Sequence, residues 1–508
     1  MADLSKLKIA LCQIEPVQSC PSSYETSLRQ LTTRVKLTGA DLAIFPAPSK
    51  DALPRLVAMN GSILLEEVGR ATLSAEGELY HIALGSAQDD CDFAVVSDWE
   101  PWTLASASQE ATSAGIACPT VISNPIGIEN ADKRVVVFDG ASRALAADGT
   151  VIAQLRDDFT GDFTPFTFAH GGRIAEPCDM KTLRALVSSI RRFDAFVLPW
   201  QPKWVIGLSG GLDSSVVASL LVMALGPERI VGYNLATRYN NDATKANAAA
   251  LANALEIELR NGSIEELVRA TGVTLDQYGY GEDALSGLVL ENVQARLRGH
   301  ALSTFAAVEG GVIANNGNRI EAALGYATLY GDAIGALAPI GDLTKVQLFD
   351  LSRQINEVFE QEVIPENLLP IETADGFIWE TMPSAELADG QRDPMKWFYH
   401  DWLVAQLLDV TAGDPCPIMQ GYLDDRLAST PIAKWLEFYG LANDPAAFMA
   451  DLEWVTRSMR TAAFKRIQAP PAIRIASPAS VASSSEWQGT LEPSEHYLEL
   501  KARILGIR

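Results

Sequence analysis

Histidine and cysteine are scarce in this chain, with five and six copies in 508 residues. The cysteines (Cys12, Cys20, Cys91, Cys118, Cys178 and Cys416) form no CxxC pair. That spacing gives neither a zinc site nor a disulfide framework. So few histidines also argue against a histidine-based metal centre. Basic charge is in deficit: 40 lysines and arginines face 64 acidic residues, a formal net charge of −24. Such a surface repels nucleic acid and anionic lipid, so neither is expected as a partner. An anionic substrate must then enter a locally basic pocket. Long apolar runs are missing too. The longest apolar segment, residues 204–225, is broken by Gly210, Gly211 and Asp213 and is not expected to span a membrane. The first residues, MADLSKLKIA, lack the apolar stretch of a signal peptide, so a cytoplasmic protein is expected.

What is present is ordinary in balance, with 48% hydrophobic and 20% charged residues, but long for one core. Two domains are expected, over residues 1–172 and 173–508. In the first, LKIALCQI (7–14) and ADLAIFPA (40–47) read as buried strands. Residues 134–155 read as a hairpin turning near Asp148 and Gly149. HGGRIAEPCD (170–179) reads as a linker. A helix is expected from Lys181, then a strand in KWVIGLSGG and more strands in RIVGYNLA and GGVIANN. Helix and strand alternate to about Pro339, which predicts an α/β domain with a parallel sheet covered on both faces. Beyond Leu343 the chain reads as mostly helical, with an irregular insert over 371–393. Residues 477–487, small and polar, read as mobile.

The stretch VIGLSGGLDSSVV (205–217) sets glycines and an acid between a strand and a helix. Glycines let the backbone approach a ligand with no Cβ in the way. A helix starting near Asp213 offers free N–H groups and its dipole to an anion. Ser209, Ser214 and Ser215 add hydroxyls. The pattern is not GxxxxGK[ST]. Asp213 would repel phosphate unless a cation intervened, which points to Mg2+ bridging it to a polyphosphate. The same residues also read as a glycine turn with Asp213 as a helix N-terminal acid, which the dipole favours as well.

SGGLDSS resembles the pyrophosphate loop of the N-type ATP pyrophosphatases, which cleave ATP to AMP and pyrophosphate while adenylating a carboxyl or carbonyl oxygen. The resemblance implies a doubly wound parallel sheet of the adenine nucleotide α-hydrolase type. It also implies ATP held by Gly207, Ser209, Gly210, Gly211, Asp213, Ser214 and Ser215. The loop alone does not choose among NAD, GMP and asparagine synthetases and tRNA-thiolating enzymes. Later segments resemble NAD synthetases. ENVQARLRGHALSTF (291–305) reads as a helix with Leu290, Val293, Leu297 and Ala301 on one face and Asn292, Arg296 and Gly299 roughly opposite. Periodicity alone reads the second face as solvated. Its resemblance to ENxQARxR implies that Asn292 and Arg296 contact deamido-NAD near a subunit interface.

NNGNRIEAALGYATLYGD (315–332) resembles TGNKSE–GYxTxYGD. By that match Glu321 is a second magnesium or substrate-contacting carboxylate, and Tyr326 and Asp332 lie along the dinucleotide. Asn316, Arg319 and Ile320 replace the usual threonine, lysine and serine. PIGDLTKVQLFDL (339–351) implies a phosphate contact by Lys345. MPSAELADGQRD (382–393) resembles a PSAEL flap, with Arg392, Asp393 and Pro394 where TDE is usual. FKRIQAPPAIRIAS (464–477) implies a substrate contact by Lys465. The same resemblance places Arg238 and Asn316 with ATP and Arg319 with the substrate. It makes Asp213 and Lys345 catalytic, Asp213 and Glu321 the Mg2+ ligands, and the chain a homo-oligomer through this domain.

Residues 1–172 resemble a reduced form of the nitrilase-like glutaminase domain of glutamine-dependent NAD synthetases, which uses a Glu-Lys-Cys triad. GADLAIFPAPS resembles GADLxxFPEL, but Ala47 holds the glutamate position. FAVVSDWEPW (93–102) resembles ICEDxW, but Val96 or Ser97 stands at the cysteine. Between Ala47 and Ser97 the only lysine is Lys50, too early for the triad. Without thiolate and base no thioester forms. A degenerate domain is expected, serving as a scaffold or as a docking surface for a separate ammonia-donating glutaminase. The expected activity is ammonia-dependent synthesis of NAD from deamido-NAD and ATP. Alternatives are an amide ligase for another carboxylate, suggested by Asn316, Arg319 and Ile320, a non-catalytic regulatory homologue, and a tRNA-modifying enzyme. The net charge and the lack of paired cysteines speak against the last.

Overall fold

The computed structural model describes residues 2–15, 21–66, 69–85, 91–105, 118–388, 390–478 and 492–507. Cys20 and residues 479–487 of the segment read as mobile lie outside them. The chain divides into two compact units, Met1–Ala131 with Val135–Pro199 and Asp132–Arg134 with Trp200–Arg508. Among the described residues no helix is long and apolar enough to cross a membrane.

The first unit contains β1 (Ile9–Gln13), α1 (Pro21–Lys36), β2 (Leu42–Phe45), β3 (Arg55–Ala58), β4 (Ser62–Glu66), β5 (Arg70–Ala75), β6 (Glu78–Leu84), β7 (Phe93–Ser97) and β8 (Thr120–Ser123). After these come β9 (Ile126–Ala131), β10 (Arg134–Asp139), β11 (Arg143–Leu145), β12 (Val151–Gln154), β13 (Asp162–Phe166) and α2 (Lys181–Val197). One sheet has the order β13-β1-β2-β3 and the other β12-β11-β8-β7-β6-β5-β4. Successive residues of a strand face opposite sides. Ile9, Leu11, Leu42 and Ile44 therefore share a core with Leu73, Tyr80, Ile82, Phe93 and Val95 of the second sheet. Their neighbours Ala10, Cys12, Ala43 and Phe45 pack on Tyr24, Leu28, Leu31 and Val35 of α1. Two sheets thus stack face to face with a helix outside. The hairpin expected over 134–155 is shorter: β11 pairs antiparallel with β12 around Gly149, while β10 pairs with β9.

The boundary between units falls after Pro199, not at residue 172. Helix α2 belongs to the first unit, because its charges are matched there. Lys181 Nζ lies 2.7 Å from both Asp139 and Asp157, and Arg192 Nε 2.6 Å from Glu15.

The second unit contains β14 (Trp204–Gly207), α3 (Leu212–Leu225), β15 (Ile230–Ala236), α4 (Asp242–Ala254), β16 (Glu258–Ser263) and α5 (Glu265–Gln277). It continues with α6 (Gly287–Glu309), β17 (Val312–Ile313), α7 (Arg319–Leu324) and α8 (Lys345–Phe359). The four strands are parallel in the order β16-β15-β14-β17. Strand order reverses between β14 and β17, and in open α/β sheets ligand loops gather at such a switch point. The doubly wound parallel sheet expected here is present. Beyond α8, the insert expected to be irregular opens with a hairpin of Ile371–Thr373 and Gly376–Ile378.

Helix α6 departs from its expected facing. Gln294, Ala295, Gly299, Ala301 and Ala306 are buried, while Leu290, Val293 and Leu297 are only half-buried. The cause is close approach: a Cβ on Gly299 would lie 2.4 Å from the Gly331 carbonyl oxygen. Small residues therefore take the contact that periodicity assigned to large ones.

Candidate functional site

The loop after β14 is shaped by one glycine. Gly210 has φ +81°, and a Cβ there would lie 1.8 Å from the Thr244 carbonyl oxygen of α4. Only glycine fits. Helix α3 then starts at Leu212 with Gly211 as N-cap and no side-chain cap. Its first turn carries no side-chain cap, a feature it shares with anion-binding helix starts. Ser209 Oγ accepts from Gly211 N–H at 3.2 Å and lies 3.2 Å from Ser214 Oγ. Ser215 does not join this surface as expected. It is fully buried and donates to the Gly211 carbonyl at 2.8 Å.

The loop after β17 answers it. Asn316 Nδ2 donates to the Gly207 carbonyl at 2.8 Å, and Asn315 Nδ2 donates to the Asp332 and Ile334 carbonyls. Asn318 caps α7 and donates to Asp213 Oδ1 at 3.0 Å. Lys345, at the start of α8, donates to Asp213 Oδ2 and stacks over the Trp397 ring at 5.3 Å. Burial alone would push Lys345 down, but the facing Asp213 and Glu321 carboxylates hold it above its ordinary value. Glu321 is pushed up to about 8, first by burial and next by the Asp213 charge. Asp393 is also raised by burial, and beside it the Tyr326 hydroxyl is raised too, again first by burial. Three acids and one ammonium therefore meet at the switch point.

A cavity of about 990 Å³ opens there, at the large end for ligand sites. Gly207, Ser209, Gly211, Asp213, Ser214, Asn316, Glu321, Tyr326, Asp332, Lys345 and Lys465 line it. Asp332 accepts from Thr328 N–H at 2.6 Å, and burial raises its carboxyl. Lys465 donates to the Gly325 carbonyl at 2.7 Å, and burial lowers its ammonium.

Four residues expected to contact ligand spend their side chains on other protein groups. Arg238 is exposed and lies over the Tyr239 ring, 4.9 Å from its centroid. Asn292 accepts from Thr328 Oγ1 at 3.0 Å, and Arg296 donates to the Leu329 carbonyl at 3.1 Å, so both hold the 328–332 turn. Arg319 reaches the cavity wall, but its guanidinium is committed. It grips Asp409 with both terminal nitrogens, one at 2.8 Å, and lies 3.7 Å from fully buried Asp342. Sequence reasoning also missed four residues at the site. Asn318 had a legible signal, the N-x-x-E capping pattern with Glu321. Asp393 stood in a motif that departed from its family. Arg298, which donates to Leu235 O, and Glu386, which accepts from Asn240 and Thr244, stand in the ENxQARxR and PSAEL stretches but were not singled out.

Asp213 and Glu321 are hard oxygen donors of the kind Mg2+ takes. Among the described residues no three His, Cys, Asp or Glu side chains converge on a metal position. A cation here would draw its remaining ligands from water and phosphate, as Mg2+ usually does. Burial and the Asp213 charge disfavour ionised Glu321, and a cation between the two would relieve both.

In the first unit, Ala47 is fully buried just beyond β2, and Val96 and Ser97 end β7. Lys50 is exposed. Cys91 and Cys118 lie buried together, sulfurs 3.3 Å apart, against Ala83 and Ala94. Burial pushes the Cys118 thiol up to about 12, the wrong direction for a nucleophile.

Residues 200–409 match the NAD synthase family model. This segment is what the chain shares with the NAD synthase family. The glutamine-dependent NAD(+) synthetase of Xanthomonas campestris is 32% identical over 359 residues, 67% of this chain and 57% of that protein. That of Synechocystis sp. is 39% identical over 193 residues, 38% of this chain and 32% of that protein. The chain thus spans between a third and three fifths of the length of these curated relatives. The solved structure of a glutamine-dependent NAD(+) synthetase from Cytophaga hutchinsonii matches with a TM-score of 0.68 at 14% identity, covering 98% of this chain and 99% of that one. The NAD synthase segment carries the switch-point loops and Lys345, and the shared fold extends to the first unit.

Proposed function

We propose that the second unit is an ATP-dependent amide ligase of the NAD synthetase type. In this reading the nicotinate carboxylate of deamido-NAD attacks the α-phosphorus of ATP and pyrophosphate leaves. Ammonia then attacks the acyl adenylate, releasing AMP and NAD. The observation that carries the reading is the Lys345–Asp213 pair beside the uncapped start of α3. Lys345 and the first N–H groups of α3 set positive charge where the departing pyrophosphate gathers negative charge. Mg2+ held by Asp213 and Glu321 supplies further neutralisation of the phosphates when bound. Holding both reactants in one cavity supplies the orientation.

The nitrogen is proposed to be free ammonia or ammonia from a separate glutaminase. Ala47, Val96 and Ser97 at the triad positions and the inert Cys91–Cys118 pair support this. A homo-oligomer through the second unit fits the exposed Leu267, Val273, Tyr278, Tyr280, Leu288 and Val289 on and around α5 and α6. A cytoplasmic site of action belongs to the same reading.

The test is direct. Purified chain receives ATP, Mg2+ and deamido-NAD, with ammonium or glutamine. NAD from ammonium only is expected. NAD from glutamine would refute the loss of glutaminase, and NAD from neither would refute the substrate. A second reading, an amide ligase for another carboxylate, is favoured by Asn316, whose Oδ1 is buried beside the cavity without a partner. Pyrophosphate release across a panel of acids separates the two.

A further inference from the structure

We infer that Asn318 is a positioning residue that sets the Asp213 carboxylate against Glu321 and the phosphate loop. The inference rests on the reading of Asp213 as the carboxylate that manages the departing pyrophosphate. Asn318 is fully buried. Its Oδ1 accepts from the N–H groups of Ile320 and Glu321 at 3.0 and 3.1 Å. Its own N–H donates to Glu321 Oε2 at 3.2 Å, closing a capping box. A cap needs only the oxygen, and serine or aspartate would serve equally. The amide nitrogen does something a cap does not: Nδ2 crosses to Asp213 Oδ1 at 3.0 Å. Lys345 holds the other oxygen of Asp213. One buried residue therefore joins the first turn of α3 to the first turn of α7: its side chain reaches the Asp213 carboxylate and its main-chain N–H the Glu321 carboxylate.

An amide accepts with one atom and donates with the other, which neither a serine hydroxyl nor an ionised aspartate does. The bond to Asp213 is charge-assisted and fixes the rotation of its carboxylate. The neighbouring asparagines make similar ties, but to main-chain carbonyls: Asn316 to Gly207 and Asn315 to Asp332. The tie made by Asn318 is the one that lands on a reacting charge.

The test compares full-length wild type with Asn318→Ser and Asn318→Ala. Serine keeps the cap but does not span to Asp213; alanine loses both. Three quantities are read: the thermal midpoint, Mg2+–ATP affinity by calorimetry, and kcat and KM for deamido-NAD-dependent pyrophosphate release. Asn318→Ser is expected to unfold near the wild-type midpoint, to bind Mg2+–ATP about tenfold more weakly, and to lose a similar factor in kcat at unchanged KM for deamido-NAD. Asn318→Ala adds a lower midpoint with little further loss of kcat. Wild-type affinity and kcat in the serine variant would overturn the inference. So would losses that track the midpoint across both variants. A wild-type chain that binds Mg2+–ATP yet makes no NAD defeats the proposed substrate, and the calorimetric comparison still decides the role of Asn318. A wild type that binds no ATP overturns both.

Discussion

Lys345 and Asp213 form an ion pair at the switch point of the parallel sheet, with the lysine side chain 2% exposed and the aspartate 19%. The pair joins chemistry to stability. Removing either partner strands a charge in a poorly hydrated place.

The first prediction follows from that pair. Asp213→Ala should abolish pyrophosphate release and also destabilise the second unit by about 3 kcal/mol, because Lys345 loses its partner. Adding Lys345→Met should recover much of the stability and none of the activity. Urea unfolding of the single and double variants, with turnover measured alongside, checks both parts. Full stability in Asp213→Ala would show that the pair is weak.

Arg319 gives a second, opposite expectation. Its guanidinium is held by Asp409 and faces Asp342, which also takes Arg474 and the N–H groups of Ile475 and Ala476. Arg319→Ala should lower stability by about 3 kcal/mol and raise KM for deamido-NAD little, if the fold survives the assay temperature. A large KM increase at unchanged stability would restore the substrate contact expected from the sequence.

Gly210 tests the loop itself. Gly210→Ala forces a side chain into φ +81° and against the Thr244 carbonyl. A loss of roughly 1–3 kcal/mol is expected, together with weakened ATP binding by calorimetry. Unchanged binding would mean that the loop tolerates a different path.

The pH dependence of stability has one local source that can be isolated. Asp451 is pushed up by burial, but His400 and Lys396 outweigh that and hold its carboxyl below the ordinary 3.8. A depressed acid means fewer protons bound in the native state. Its contribution is therefore present above the unfolded value and is lost as pH falls below about 3.8 through the native one. Asp451→Asn should be less stable than wild type at pH 7, and the gap should narrow on acidification below pH 4. Denaturant midpoints across that range test it, and a constant gap would contradict it.

The sheet and the glycine loop were readable because their signals are local. Gly210, Gly211 and Asp213 carry backbone chemistry in their own types, and helix α3 begins one residue from where it was expected. Partners distant in sequence were not readable. Arg319 reads as a cation facing substrate until Asp409, 90 residues later, is seen to hold it. Asn318 advertises a cap, but its bond to Asp213 spans 105 positions. Helix α2 falls on the other side of the expected boundary because the breaker-rich stretch 170–179 reads as a linker, while its partners Asp139, Asp157 and Glu15 are distant in sequence. Helix α6 misled for a related reason: close backbone approach at Gly299 outranked the apolar stripe.

The most direct measurement of the central claim follows oxygen. Deamido-NAD labelled with 18O in its carboxylate is turned over with ATP, Mg2+ and ammonium, and the products are weighed by mass spectrometry. Attack of the carboxylate on the α-phosphorus predicts one labelled oxygen in AMP and none in pyrophosphate. Label in inorganic phosphate, or unlabelled AMP alongside amide product, would contradict the adenylation account.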